Sequence, residues 1–273
     1  MNGKLYVVGT PIGNLGDFSP RAVEALEAVD FIAAEDTRVT MKLLNHFGIK
    51  KETVSYFEHN KKEKGELICQ RLQNGESCAV VTDAGMPAIS DPGQDLVALC
   101  RERGIPVEAV PGPTAFATAL AVSGMNSGRF TFEGFLSVNK KSRREHLEEI
   151  KDEKRTVIFY EAPHKLGNTL RDLYNTLGDR RLAIVRELTK VHEQVINTTL
   201  SQAVSLYGDG GLKGEIVLII EGKTEVVKAE ITLEEAADMA RKLVEKGMTV
   251  SNAAKEIAAK TPFKKGDIYR ELV

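Results

Sequence analysis

Five short, almost wholly apolar runs divide the first 115 residues, and each leads through a turn into a segment of helical periodicity. The runs are Lys4–Gly9, Phe31–Ala34, Thr53–Phe57, a run closing on Val80-Val81, and Pro106–Val110. A strand that is apolar on both faces must be covered on both faces. Strands alternating with helices predict a mostly parallel sheet flanked by helices, an α/β architecture. In such sheets ligands bind beyond the carboxyl ends of the strands, so the turns at those ends carry the functional expectation.

Three of the turns are built from small or rigid residues. Thr10-Pro11-Ile12-Gly13-Asn14-Leu15-Gly16-Asp17 follows the first run, and Pro111-Gly112-Pro113-Thr114-Ala115 follows the fifth. Between them in sequence lies Asp83 to Gly93, rich in Gly, Ala and Pro; Asp91-Pro92 reads as an N-cap and first helical residue. Small residues let backbone N–H and C=O groups approach a ligand, and three such turns on one sheet edge make a pocket. The glycines at 9, 13 and 16 lack dinucleotide-fold spacing and no Walker-type lysine follows, so a phosphate cradle is not expected.

Charged and polar residues sit at other strand exits. Glu35-Asp36-Thr37-Arg38 follows the second run, Glu58-His59-Asn60 the third, and Glu161-Ala162-Pro163-His164-Lys165 the later strand Thr156–Tyr160. Asp36 with Arg38 can equally be a local pair capping a helix that begins near Thr40. Asp83 and Asp91 are expected to brace their turn.

From Gly128 the texture shifts. Arg129–Phe135 alternates aromatic with polar residues, as a half-exposed strand does. The cluster Lys140-Lys141-Ser142-Arg143-Arg144 leads into a charged helix and is a candidate phosphate contact. Arg181–Val185, Gln194–Thr198 and Gly214–Ile220 complete a second, mixed sheet with some antiparallel pairing. Thr232-Leu233-Glu234-Glu235 is a capping-box signature opening a helical tail. The expected organisation is an N-terminal α/β domain over 1–115, a second α/β domain over 116–223 with a cleft between the two sheets, and a helical segment over 224–273.

Thirty-seven basic against thirty-nine acidic residues leave a net charge of -2, so any nucleic-acid site must be a local patch. Cys69, Cys78 and Cys100 form no CxxC pattern; they read as buried thiols of a reducing compartment, with neither metal site nor disulfide framework. No apolar run is long enough to span a bilayer, and a cytoplasmic location is expected.

The motifs Gly9-Thr10-Pro11-Ile12-Gly13-Asn14-Leu15, Ala34–Arg38, Ser55–Asn60, Asp83–Gly93, Val110–Pro113, Phe159–His164 and Gly214-Glu215 occur in an order that resembles the tetrapyrrole methylase superfamily of S-adenosylmethionine-dependent methyltransferases. The likeness spans about 4–222 and is greatest to the ribosomal RNA branch; porphyrin-modifying members carry Gly-Asp-Pro where this chain has Gly85-Met86-Pro87. The resemblance implies a homodimer that methylates a cytidine ribose 2′-hydroxyl in the decoding region of 16S ribosomal RNA in the small subunit. It implies methyl-donor contacts at Pro11, Gly85, Pro87, Ile89, Thr114, Ala115, Tyr160, Gly214 and Glu215, mostly through backbone. Glu35, Asp36, His59 and Glu161 are the candidates for a general base, and Arg38, Lys140, Lys141, Arg143 and Arg144 for RNA contacts. A tetrapyrrole carbon methyltransferase and a non-catalytic RNA-binding protein on the same fold are the alternatives.

Overall fold

The computed structural model describes residues 3–224 and 231–273. The chain separates into two compact units, Met1–Lys223 and Thr224–Val273. In the first, five βα steps follow one another: β1 (Leu5–Val8), α1 (Pro20–Ala28), β2 (Phe31–Ala34), α2 (Thr37–His46), β3 (Glu52–Ser55), α3 (Lys61–Gln73), β4 (Cys78–Val81), α4 (Gln94–Glu102), β5 (Val107–Val110) and α5 (Ala115–Ser123). The strands form one sheet, ordered β3-β2-β4-β1-β5, in which every pairing is parallel. Side chains alternate across the pleat. Leu5, Phe31, Ala33, Cys78 and Val80 therefore enter one apolar core, and Val8, Ile32, Ala34, Ala79 and Val81 the other. Burial on both faces is the reason these strands are apolar throughout.

A second sheet follows: β6 (Phe130–Phe135), α6 (Lys140–Glu149), β7 (Thr156–Glu161), α7 (Leu166–Leu177), β8 (Arg181–Arg186), β9 (Gln194–Thr199), α8 (Leu200–Tyr207) and β10 (Ile216–Ile220). Its order is β6-β7-β10-β8-β9, parallel only between β6 and β7. One face packs under α6, α7 and α8. The other is covered by α5 and by Ile12, which reaches across from the loop after β1. The same α/β unit thus holds both sheets.

The second unit holds α9 (Leu233–Glu245), α10 (Val250–Ala258) and α11 (Lys265–Arg270) around a small core of Ala236, Ala240, Ala253, Ala254, Ile257 and Ile268. The expected capping box is present: the Thr232 hydroxyl accepts from the Glu235 N–H while the Glu235 carboxylate accepts from the Thr232 N–H. Among the described residues no helix is long and apolar enough to cross a membrane.

Two helix starts differ from the sequence expectation. Asp36 is itself the N-cap of α2, its carboxylate accepting from the Arg38 N–H at 2.8 Å, so the helix begins at Thr37 rather than near Thr40. Asp91-Pro92 does not open α4, which begins at Gln94 after Gly93 with φ of 136°. Ala88 and Ser90 take left-handed φ values of 68° and 64°, which spend Asp91 and Pro92 on closing a tight turn.

The close approach of Gly9 and Gly112 is the tightest constraint on the first sheet's upper rim. A Cβ built on Gly9 lies 2.7 Å from the Gly112 Cα and 2.7 Å from the Met86 sulfur. Gly9→Ala is expected to cost about 1–3 kcal/mol through overpacking, read as a lowered midpoint in urea unfolding with an unchanged slope.

Candidate active site

The order β4-β1-β5 sets three turns side by side. They are the loop after β1, the turn after β4 and the loop after β5. Thr10 and Gly85 lock the first two together: the Thr10 N–H donates to the Gly85 carbonyl at 2.9 Å and the Gly85 N–H to the Thr10 carbonyl at 3.1 Å. The Thr10 hydroxyl adds a bond to the Thr82 carbonyl at 3.1 Å. Gly85 sits at φ of 91°, a region where a side chain is strained, so glycine is what permits the reversal. Gly9 against Gly112 joins the third turn to the first. The three turns form one rigid wall made largely of backbone.

The opposing wall comes from the second sheet. The Tyr160 hydroxyl accepts from the Phe116 N–H at 3.0 Å, and its ring meets Phe132 and Phe135 edge-on at 4.9 and 5.5 Å. A β-bulge shifts the β6 register between Phe132 and Gly134, and Gly134 turns left-handed beside the Ser90 hydroxyl. The strained turn after β4 and the bulge of β6 therefore abut. Strain concentrated at two facing turns marks a site held in shape by its surroundings.

Between the walls lies a cleft of about 380 Å³, within the range of small-molecule sites. Of the residues expected there, Glu35, Gly85, Ile89, Thr114, Ala115, Tyr160, Glu161 and Glu215 line it. Five others do not. Pro11 lines a neighbouring cavity with Asn14, Lys42 and His46, and Thr82 and Asp83 line both. Pro87 lies within the turn beside the lining residue Met86 without reaching the cleft. Gly214, at φ of 89°, shapes the backbone so that the Glu215 N–H reaches the Glu187 carboxylate at 3.0 Å.

The expected bases fare unequally. His59 is exposed on the turn before α3, its ring edge-on to Phe57 at 6.1 Å, and it does not line the cleft. Asp36 is gripped by the Arg38 guanidinium at 2.6 Å, which with the Arg38 N–H holds its carboxyl at about 2. A carboxylate so stabilised is a poor proton acceptor, and the same pair occupies the guanidinium of Arg38. Glu161 is buried, and its oxygens accept from the Ala162 N–H at 2.7 Å and from the Thr169 hydroxyl. Glu35 accepts from the Thr82 hydroxyl at 2.5 Å. Arg143, expected to meet phosphate, donates instead to Asp172 at 2.7 Å and to the Thr169 hydroxyl at 2.8 Å.

The titratable group that stands out is Asp91. Burial, then the nearby charges of Glu35 and Asp83, push its carboxyl up to about 6. Asp83 is raised by the same causes in the same order, burial and then Glu35. Asp83 does brace its turn, accepting from the Asp36 N–H at 3.2 Å. Asp91 has no hydrogen-bond or ion-pair partner among the described residues. Its position on a Gly- and Pro-rich turn was the one sequence signal for it. Its loss of solvent beside two other acids is a tertiary fact. Phe135, Leu188 and Ile216 also line the cleft without any local sequence mark.

A cationic group of small-molecule size fits this cleft: Glu35, Asp83, Asp91, Glu161 and Glu215 line it as carboxylates, Tyr160 and Phe135 present aromatic rings, and apolar side chains and backbone line the rest. The family model for tetrapyrrole (corrin/porphyrin) methylases matches residues 4–204. A protein of Synechocystis sp. named ribosomal RNA small subunit methyltransferase I is 47% identical over 98% of this chain and 96% of its own length. One of the same name from Halalkalibacterium halodurans is 46% identical over 98% and 93%. Among solved structures, uroporphyrin-III C-methyltransferase of Thermus thermophilus complexed with S-adenosylhomocysteine aligns with a TM-score of 0.58 at 18% identity, covering 80% of this chain and 97% of that one. Diphthine synthase aligns with a TM-score of 0.61 at 13% identity, covering 81% and 91%. The Thr10–Gly85 wall and the cleft it faces thus belong to a chain that is a member of the tetrapyrrole methylase family.

Proposed function

We propose that the chain transfers a methyl group from S-adenosylmethionine to the ribose 2′-hydroxyl of a cytidine in the decoding region of 16S ribosomal RNA, with Asp91 as the general base. The observation that carries the reading is the unpartnered Asp91 carboxylate, raised to about 6 in a cleft built from backbone turns and aromatic rings. The names and full-length coverage of the relatives at 46–47% identity support ribosomal RNA as the acceptor, against 18% for the tetrapyrrole-modifying neighbour.

When bound, S-adenosylmethionine supplies an electrophilic methyl group on a positively charged sulfonium. Gly85, Ile89, Thr114, Ala115, Tyr160 and Glu215 would hold it, from both walls. Their first task is alignment of the acceptor oxygen, and proximity with orientation supplies about 7–11 kcal/mol of such a barrier. Fixed turns do this at low entropic cost, because the Thr10–Gly85 pairing and the Gly9–Gly112 contact are already made. The second task is removal of the hydroxyl proton. A base contributes about 10²–10⁴-fold, and most when its pKa lies near the working pH. Asp91 is ionised at neutral pH yet retains basicity that Asp36 has lost.

Methyl transfer from labelled S-adenosylmethionine to small subunits that lack the modification tests the reading. A product that resists alkaline cleavage at one cytidine, because the 2′-oxygen is blocked, is the expected result. Label on a base carbon, on uroporphyrinogen or nowhere overturns it. Asp91→Asn is expected to lower kcat by about 10²–10⁴-fold while the donor dissociation constant stays within a few-fold. The wild-type rate is expected to rise with pH through about 6, and that acid limb disappears in the variant.

The same carboxyl sets a stability signature. Its folded pKa lies above the unfolded value of about 3.9, so ionising it opposes folding. The cost is absent below about pH 4, grows between about pH 4 and 6, and is full above. Screening at a half-buried position leaves it at about 1 kcal/mol. Asp91→Asn is therefore expected to raise Tm by about 2–4 °C at pH 8 and to leave it unchanged at pH 4.

A further inference from the structure

A second concavity lies on the same unit, between α6 and α7, with a volume of about 820 Å³. Its polar lining is basic or neutral apart from one acid: Lys140, Arg144, Lys165, Arg171, Asn168 and Asn175 line it. The single acid among the lining residues, Asp172, is consumed by Arg143. Arg171 is paired with Asp209, whose side chain is fully exposed. Lys140, Arg144 and Lys165 have no carboxylate partner among the described residues. Lys140 and Arg144 stand one helical turn apart and so share a face of α6. Three unpaired cations along one groove constitute a local positive field that a net charge of -2 conceals.

The groove and the catalytic cleft share a rim. Strands β6 and β7 are parallel neighbours, so α6 and α7 both start at the end of the sheet where the cleft opens. Phe135 lines the cleft and Ser137 and Val138 line the groove; Ala162 and Pro163 line the cleft and Lys165 the groove. Two chain exits therefore run from one concavity directly into the other. At the junction Phe135 is 57% exposed and Val138 79%, which leaves an aromatic ring and an apolar side chain facing solvent. Beneath them Glu161, Thr169, Arg143 and Asp172 form one hydrogen-bonded chain that fixes the groove floor to the cleft wall.

From this we infer that the α6–α7 groove is the track for the RNA phosphate backbone, with Lys140, Arg144 and Lys165 as the phosphate contacts and Phe135 as the surface on which the acceptor nucleotide stacks as it enters the cleft. The inference rests on the RNA reading given above. Arg143 is a positioning residue: it neutralises Asp172 and holds the floor.

The test uses the full chain and a synthetic RNA hairpin of the small-subunit decoding region, titrated between about 50 and 200 mM salt. In the triple variant Lys140→Glu, Arg144→Glu, Lys165→Glu the affinity is expected to fall at least about tenfold. The slope of log affinity against log salt should become shallower by about 2, because each single-stranded phosphate contact contributes about 0.7. Donor affinity measured by calorimetry stays unchanged. Lys50→Glu with Lys51→Glu, at the opposite end of the first sheet, is the control and leaves the slope as in wild type. Arg143→Ala is expected to lower Tm without changing the slope. Equal slopes in the triple variant and the control overturn the track, as does a joint loss of RNA and donor binding. Wild-type protein that binds the hairpin along this groove but methylates no small subunit overturns the reaction and leaves the track standing.

Discussion

Everything at the site depends on three backbone turns being unable to move relative to one another. The Thr10–Gly85 pair of hydrogen bonds and the contact of Gly9 with Gly112 tie the exits of β4, β1 and β5 into one surface. Each hydrogen bond is worth only about 0.5–1.5 kcal/mol net. Their leverage is geometric, because a shift of any one turn would have to break contacts with the other two. Transfer of a methyl group along a defined axis rewards such rigidity more than it rewards any single side chain. The recurrence of glycine, alanine and proline on this rim follows from that requirement.

The two concavities divide the electrostatic work. Glu35, Asp83 and Asp91 make the cleft acidic, which suits a positively charged donor and raises one carboxyl into the range where it can accept a proton. Lys140, Arg144 and Lys165 make the adjoining groove basic, which suits a polyanion. Opposite charges are thereby kept close without neutralising each other, since Arg143 and Asp172 cancel locally at the boundary. Near-neutral composition is the sum of these separated fields and carries no information about either.

Much of the scaffold was legible in the residues. The apolar runs at β1, β2 and β4 announced strands buried on both faces, and the capping box at Thr232 announced where α9 starts. The small-residue turns announced the rim. Less legible were the side chains whose meaning depends on distant partners. Asp36 and Arg38 looked equally able to cap a helix or to do chemistry, and the structure assigns them to the cap. Arg143 looked like its basic neighbours, yet Asp172 and Thr169, almost thirty residues away, hold it. His59 followed a strand exit as a site residue would, but that strand is at the sheet edge, remote from the β4-β1-β5 rim.

What the sequence determined by itself was local: which runs are strands, which turns admit a backbone close to a ligand, and which family pattern those turns follow. Only the tertiary structure decided that β4 and β5 flank β1, so that three turns distant in sequence become one wall. It alone decided that Asp91 loses solvent beside Glu35 and Asp83, which raises its carboxyl to about 6. The physical reason is the same in both cases. Strand order and burial are set by packing between segments far apart in the chain, and no residue's neighbours in sequence record them.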